Sequence, residues 1–249
     1  MEHGSSTGTV LIQGSSTIVR TVKETGSTNA DMVALARSGI AEGSWIRADR
    51  QSAGRGRQGR DWASPAGNLY ASTLVRLRAG DPPAATLAMV AAVALEQAVG
   101  MYLPIGAQLK WPNDLMIDGA KLSGILLERS GDAVVIGFGV NLMHHPTLPG
   151  RRTTSLASHG VATNPAAFTE VLAEFFASWL SRWRGEGMAP VRARWLERAH
   201  PIGTALTARL ADDSAIDGLF EGLDADGALN LRLASGERRV IHAGDVFLL

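Results

Sequence analysis

The 249-residue chain contains no cysteine. Disulfides and thiolate metal sites are therefore excluded, and the composition fits a reducing compartment. A charge surplus is missing too: 24 Lys and Arg stand against 24 Asp and Glu, a formal net charge of zero. Proteins that live on nucleic acid usually carry a basic excess, so that class starts at a disadvantage. Met1 to Thr9 contains no basic region followed by an apolar core, so no signal peptide is expected. One apolar stretch, Ala84 to Leu103, approaches membrane-spanning length, but alanine dominates it and Glu96 and Gln97 interrupt it. The expectation there is a helix buried against a sheet, in a soluble cytoplasmic protein with no membrane partner.

Several familiar machines are also absent. The chain has no G-x-x-x-x-G-K-S/T phosphate loop and no G-x-S-x-G nucleophile elbow. Gly54-Arg55-Gly56-Arg57-Gln58-Gly59 spells G-x-G-x-x-G, yet Asp61-Trp62-Ala63-Ser64-Pro65 breaks the helix that a dinucleotide site would need next. His144 and His145 are adjacent, a poor chelating geometry, and His3, His159, His200 and His242 are scattered, so no metal cluster is expected.

What the chain does have is a loop in which Arg55, Arg57 and Arg60 alternate with Gly54, Gly56 and Gly59 and which Trp62 closes. Glycine lets backbone approach a ligand, and arginine offers a permanently charged fork for carboxylate or phosphate. Such a loop is built to fold over an anion. Upstream, Ser27 or Thr28 reads as an N-cap, with Asp31 in a capping-box position and Met32, Val33, Leu35 and Ala36 as a helical apolar face that Gly39 ends. The same exposed hydroxyls could equally bind a polar ligand.

Strands are expected over Val10 to Lys23 (with Gly14-Ser15-Ser16 as a turn), Ser44 to Arg50, Leu69 to Leu77 and Gln108 to Trp111. Leu115 to Ile117 and Lys121 to Glu128 flank Asp118-Gly119, a hairpin signal. Ala133 to Asn141 reads as a buried strand whose Gly137 and Gly139 mark close approach to the backbone. Helices are expected over Asn164 to Trp183 and Pro190 to Arg198. After His200-Pro201, short turn-linked strands at Ala205–Leu210, Ala215–Leu223, Ala228–Leu233 and Arg239–Ile241 indicate a small β barrel. The expected domains are therefore 1–198 and 199–249.

At the ends of the expected strands, Lys110, Lys121, Arg55 and Arg57 outnumber the lone carboxylate Asp114, a local cationic excess suited to handling two negative groups at once. A competing reading makes the Arg-Gly loop a single-strand nucleic-acid contact, which predicts salt-sensitive RNA binding.

The loop Gly54 to Arg60 with Trp62 resembles the biotin loop of biotin protein ligases. Ser27-Thr28-Asn29, Lys110-Trp111-Pro112-Asn113-Asp114, Lys121-Leu122-Ser123-Gly124-Ile125-Leu126-Leu127-Glu128 and Gly137-Phe138-Gly139-Val140-Asn141-Leu142 resemble the family's other blocks, in the same order. The resemblance implies an α/β (α+β) fold: a mixed sheet flanked by helices, class II aminoacyl-tRNA synthetase-like, with a small C-terminal SH3-like β-barrel. It implies adenylation of biotin by ATP, with Mg²⁺ accompanying the nucleotide, then transfer of biotin to a lysine of a biotin carboxyl carrier protein. Lipoate-type ligases share this fold and chemistry and are the near alternative.

The implied catalytic residues are Arg55, Arg57, Lys121 and Asp114. Biotin is implied to contact Ser27, Thr28, Asn29, Gln51, Gly54, Arg55, Gly56, Arg57, Trp62, Lys121 and Gly124, with Trp62 against the biotin tail or adenine and Gly124 beneath the adenylate. ATP is implied to contact Arg57, Lys110, Asn113, Lys121 and Asn141. Some relatives carry an N-terminal DNA-binding domain. Only about two dozen residues precede Ser27, so no DNA partner is expected; a homodimer is allowed.

Overall fold

The computed structural model describes residues 8–11, 18–104 and 106–249. The turn expected at Gly14-Ser15-Ser16 lies outside them. The first strands, β1 (Gly8–Leu11) and β2 (Ile18–Thr25), pair antiparallel and lead into helix α1 (Thr28–Arg37). Strands β3 (Trp45–Gln51) and β4 (Leu69–Arg76) flank the arginine-glycine loop, and helix α2 (Leu87–Gly100) follows. Then come β5 (Gln108–Lys110), β6 (Asp114–Ile117), β7 (Ala120–Ser130) and β8 (Ala133–Val140). Together they form one mixed sheet of order β1-β2-β3-β4-β8-β7-β6-β5, in which only the β2–β3 pair is parallel among those described.

Strand alternation divides the sheet between two layers. On β8, Val134, Ile136, Phe138 and Val140 enter the main core, while Ala133 and Val135 face Met32 and Ala36 of α1. The next residues on the α1 side are Gly137 and Gly139, so β8 itself carries no side chain there. Helix α3 (Pro165–Glu186) covers the opposite face with α2. It starts at Asn164, whose side chain accepts from the Ala167 N–H at 2.8 Å, and Pro165 suits the first turn. Its Phe168, Leu172, Phe176, Trp179 and Trp183 recur at helical spacing and are buried.

Glu96, which interrupts the apolar run of α2, is buried and held by Arg194 at 2.7 Å and Arg198 at 3.1 Å, next to helix α4 (Met188–Glu197). Unpaired, such a buried carboxylate would be strongly destabilising. Among the described residues no helix is long and apolar enough to cross a membrane.

The last strands are β9 (Ala205–Arg209), β10 (Ala215–Leu223), β11 (Leu229–Arg232), β12 (Arg238–Ile241) and β13 (Asp245–Leu248). They form a second, antiparallel sheet of order β12-β11-β10-β9-β13. The strand β13 was not expected from the sequence. Leu206, Phe220, Leu229 and Ile241 join the same apolar core as the large sheet, and the Trp111 indole donates to the Gly227 carbonyl at 3.1 Å.

Candidate active site

A cavity of about 800 Å³ opens on the α1 face, where β8 carries only glycine. All fifteen residues singled out from the sequence line it: Ser27, Thr28, Asn29, Gln51, Gly54, Arg55, Gly56, Arg57, Trp62, Lys110, Asn113, Asp114, Lys121, Gly124 and Asn141.

One end is neutral and closely bonded. Ser27 precedes α1 in extended conformation, but its side chain makes no capping bond. The capping-box expectation fails here. Asp31 instead accepts from the Thr25 hydroxyl at 2.6 Å, and the Thr28 N–H donates to Gln51 Oε1 at 2.9 Å, 23 residues away. Asn29 donates through Nδ2 to Glu128 Oε2 at 2.8 Å, and its Oδ1 lies 2.7 Å from Ser72 Oγ. A Cβ on Gly137 would overlap the Asn29 amide oxygen, which explains that glycine.

The loop between β3 and β4 folds back on itself. The Trp62 N–H donates to the Gly54 carbonyl at 2.9 Å, and the Gly56 N–H to the Arg60 carbonyl at 2.7 Å. A Cβ on Gly54 would lie 2.5 Å from the Trp62 carbonyl oxygen. The Trp62 ring lies on β8 and β7: a Cβ on Gly139 would meet it at 2.5 Å, and one on Gly124 at 3.2 Å. Gly124 thus gives close approach to Trp62 and the Lys121 side chain, and it also lines the cavity. The buried Trp62 Nε1 has no partner among the described residues.

The other end is charged. Lys121 Nζ donates to Asp114 Oδ1, with both side chains largely buried, and Nζ lies 5.5 Å from the Trp62 ring centroid. Asp114 is thus the ion-pair partner of Lys121. Arg57 contacts Asp245 at 3.3 Å, the Gly244 carbonyl at 3.2 Å and Asn113 Oδ1 at 3.3 Å; Arg60 reaches Asp245 at 2.8 Å. Arg55 is turned instead toward the α1 end, 3.8 Å from Glu128, the carboxylate that also holds the Asn29 amide. Burial holds the Arg57 guanidinium below its ordinary pKa, with Asp245 opposing the shift. Burial also lowers the Lys110 ammonium; Asp114 opposes this, while Arg151 and Lys121 add to it. Asn141 donates to the Thr154 carbonyl at 3.0 Å.

Sequence reasoning missed Asp245 and Arg151, both in the cavity wall, and Ser72 beneath it. Gly139 was marked as a close-approach glycine without its partner, which is Trp62. Among the described residues no cluster of three or more His, Asp or Glu could hold a metal.

Residues 23–141 match the model of the Biotin/lipoate A/B protein ligase family, and 202–249 that of the Biotin protein ligase C terminal domain. The chain is 42% identical over 236 residues to the biotin–(acetyl-CoA-carboxylase) ligase of Paracoccus denitrificans, covering 90% of this chain and 97% of that one. The chain belongs to the biotin protein ligases. It is an enzyme with a mixed catalytic sheet and an SH3-like C-terminal sheet. A second ligase of this kind, from Mycobacterium tuberculosis, is 35% identical, with coverage of 90% and 86%. The biotin protein ligase from Aquifex aeolicus, solved with biotin and ATP, superposes with a TM-score of 0.81 at 25% identity, covering 93% of this chain and 98% of that one.

Proposed function

We propose that the chain activates biotin with ATP to biotinyl-5′-AMP, releasing pyrophosphate, and transfers the biotinyl group to a lysine of a biotin carboxyl carrier protein, releasing AMP. The observation that carries this reading is the two-ended cavity: a neutral hydrogen-bonding end joined to a cationic one through a single loop. Biotin has the matching shape, a neutral urea at one end and a carboxylate at the other. Its buried urea would cost about 1–3 kcal/mol for each polar group left unpaired, and Ser27, Thr28, Asn29 and Gln51 stand ready to pair it.

In the first step a carboxylate oxygen attacks the α-phosphorus, and two anions must meet. Arg55, Arg57 and Lys121 offset that repulsion, Lys121 being placed to stabilise charge as pyrophosphate leaves. Lys110 serves the nucleotide's phosphates, and Asn113 and Asn141 its remaining polar groups. Mg²⁺ would accompany ATP and supply further neutralisation of the phosphate charge beside Arg57, Lys110 and Lys121.

The second step needs a neutral amine, and deprotonating a lysine at pH 7 costs about 4–5 kcal/mol. Asp114 takes that proton once a phosphate oxygen has replaced it on Lys121. The ion pair therefore keeps each group in place for a different step. The division into domains at 199, a cytoplasmic setting and order of the loop induced by biotin belong to the same reading.

Incubation with ATP and labelled biotin or lipoate tests it. Biotinyl-adenylate is the expected product; its absence, or preference for lipoate, would overturn the assignment.

A further inference from the structure

Ser72 of β4 is fully buried under the N-terminus of α1, one layer below the cavity wall. Its Oγ lies 2.7 Å from Asn29 Oδ1 and 2.8 Å from Thr28 Oγ1. Three anchors fix the protons around it. The Glu128 carboxylate accepts, so Asn29 Nδ2 faces it at 2.8 Å and Asn29 Oδ1 is turned to Ser72. The Thr28 N–H donates, so Gln51 Oε1 faces it at 2.9 Å. The Trp62 carbonyl accepts the Ser64 proton at 2.9 Å, leaving Ser64 Oγ to accept from Gln51 Nε2 at 3.1 Å.

Asn29 Oδ1, buried, needs a donor, and Ser72 is the one beside it. The single Ser72 proton is thereby committed. Two hydroxyl oxygens at 2.8 Å attract only with a proton between them, so Thr28 Oγ1 must donate to Ser72 Oγ. The rival acceptor, Gln51 Oε1, is farther from Thr28 Oγ1 at 3.2 Å and already takes the Thr28 N–H. Donation there would leave Thr28 and Ser72 facing each other without a proton.

We propose that Ser72 sets the polarity of this end of the pocket: it draws the Thr28 proton inward, so that Thr28 Oγ1 offers only lone pairs and demands an N–H donor from the ligand. Ser72 is a positioning residue that acts through Thr28 and selects a ring carrying N–H, such as a cyclic urea, over one presenting an acceptor at the same place. The assignment rests on the biotin reading above and adds the atom on which specificity turns.

The test uses the full chain, ATP, biotin and the two cyclic carbamate analogues in which one or the other ureido N–H is replaced by oxygen. Wild type is expected to favour biotin over one of these analogues by about a hundredfold or more in kcat/KM. Ser72→Ala frees the Thr28 hydroxyl to rotate and should reduce that ratio at least tenfold, raising KM for biotin with kcat nearly kept. Ser72→Cys, a weaker donor, falls between. Because each ratio is taken on one protein sample, a lower folded fraction cancels. An unchanged ratio in Ser72→Ala overturns the role of Ser72. Equal use of biotin and both carbamates by wild type overturns the polarity of Thr28. Absence of biotinyl-adenylate from wild type overturns the underlying biotin reading, and this assignment with it.

Discussion

At the α1 end of the cavity, Thr28, Asn29 and Ser72 are buried and bonded to neutral groups, apart from the Glu128 carboxylate, at 2.7 to 2.9 Å. At the far end, Arg57 and Arg60 meet Asp245 at 3.3 and 2.8 Å, with the Arg60 side chain 42% exposed. The neutral network is finished before a ligand arrives, because each buried polar group left without a partner would cost about 1–3 kcal/mol. The charged contacts are of another kind. A half-exposed ion pair such as Arg60–Asp245 is worth about 0–1 kcal/mol, so a carboxylate or phosphate displaces it at little cost; Arg57 is set deeper, its side chain 23% exposed. One end therefore selects by fixed geometry, and the other yields its partners to the substrates. The Lys121–Asp114 pair is the exception, being charged and yet largely buried.

The largest effect should come from that exception. Lys121→Ala is expected to lower biotin-dependent ATP–pyrophosphate exchange by about a thousandfold, while circular dichroism still shows a folded chain. A loss below tenfold would place Lys121 outside the charge-stabilising set. At the rigid end, Gly137→Ala forces Asn29 from its position, and KM for biotin should rise about tenfold with KM for ATP nearly unchanged. Equal shifts in both constants would erase the difference between the two ends.

A smaller change is expected from Asp245→Asn, which keeps the shape but removes the charge facing Arg57 and Arg60. Adenylation should change only a few-fold, with the loop more readily cut by protease in the absence of biotin. A hundredfold loss would show that the charged end is as prearranged as the neutral one. Smallest is a pH effect at Lys110. Its cationic contribution to nucleotide binding is present below its pKa and lost as pH rises through it; because burial lowers that pKa, the loss begins earlier than for a free lysine. KM for ATP should therefore climb on the alkaline side, and Lys110→Arg should flatten the climb. Identical alkaline profiles would remove Lys110 from the nucleotide site.

Local features were legible because their causes are local. Asp118 and Gly119 occupy the left-handed region, at φ 49° and 71°, as a two-residue hairpin turn requires. Gly137 and Gly139 announced close approach, though only the fold supplied Asn29 and Trp62 as the groups that approach. The cap was misread for the converse reason. The spacing of Thr28 and Asp31 satisfies a local pattern, but Gln51, brought in by the parallel β2–β3 pairing, takes the Thr28 N–H. Asp245 was invisible because its short strand lacked a distinct pattern and its partners lie 188 and 185 residues earlier. Ser72 is an ordinary strand serine until α1 is laid over it.

The seat of Trp62 also gives the molecule a built-in optical probe. Of its six tryptophans, Trp45, Trp179, Trp183 and Trp195 are buried in the core and do not line the cavity, while Trp111 is buried with one edge on it and its indole N–H held by the Gly227 carbonyl. Trp62 stands in the wall of the cavity on the arginine-glycine loop, with Lys121 beside its ring and an indole N–H that has no partner among the described residues. Its emission should therefore change most when a ligand enters, so that a titration of the unlabelled protein reports chiefly on the surroundings of this one loop.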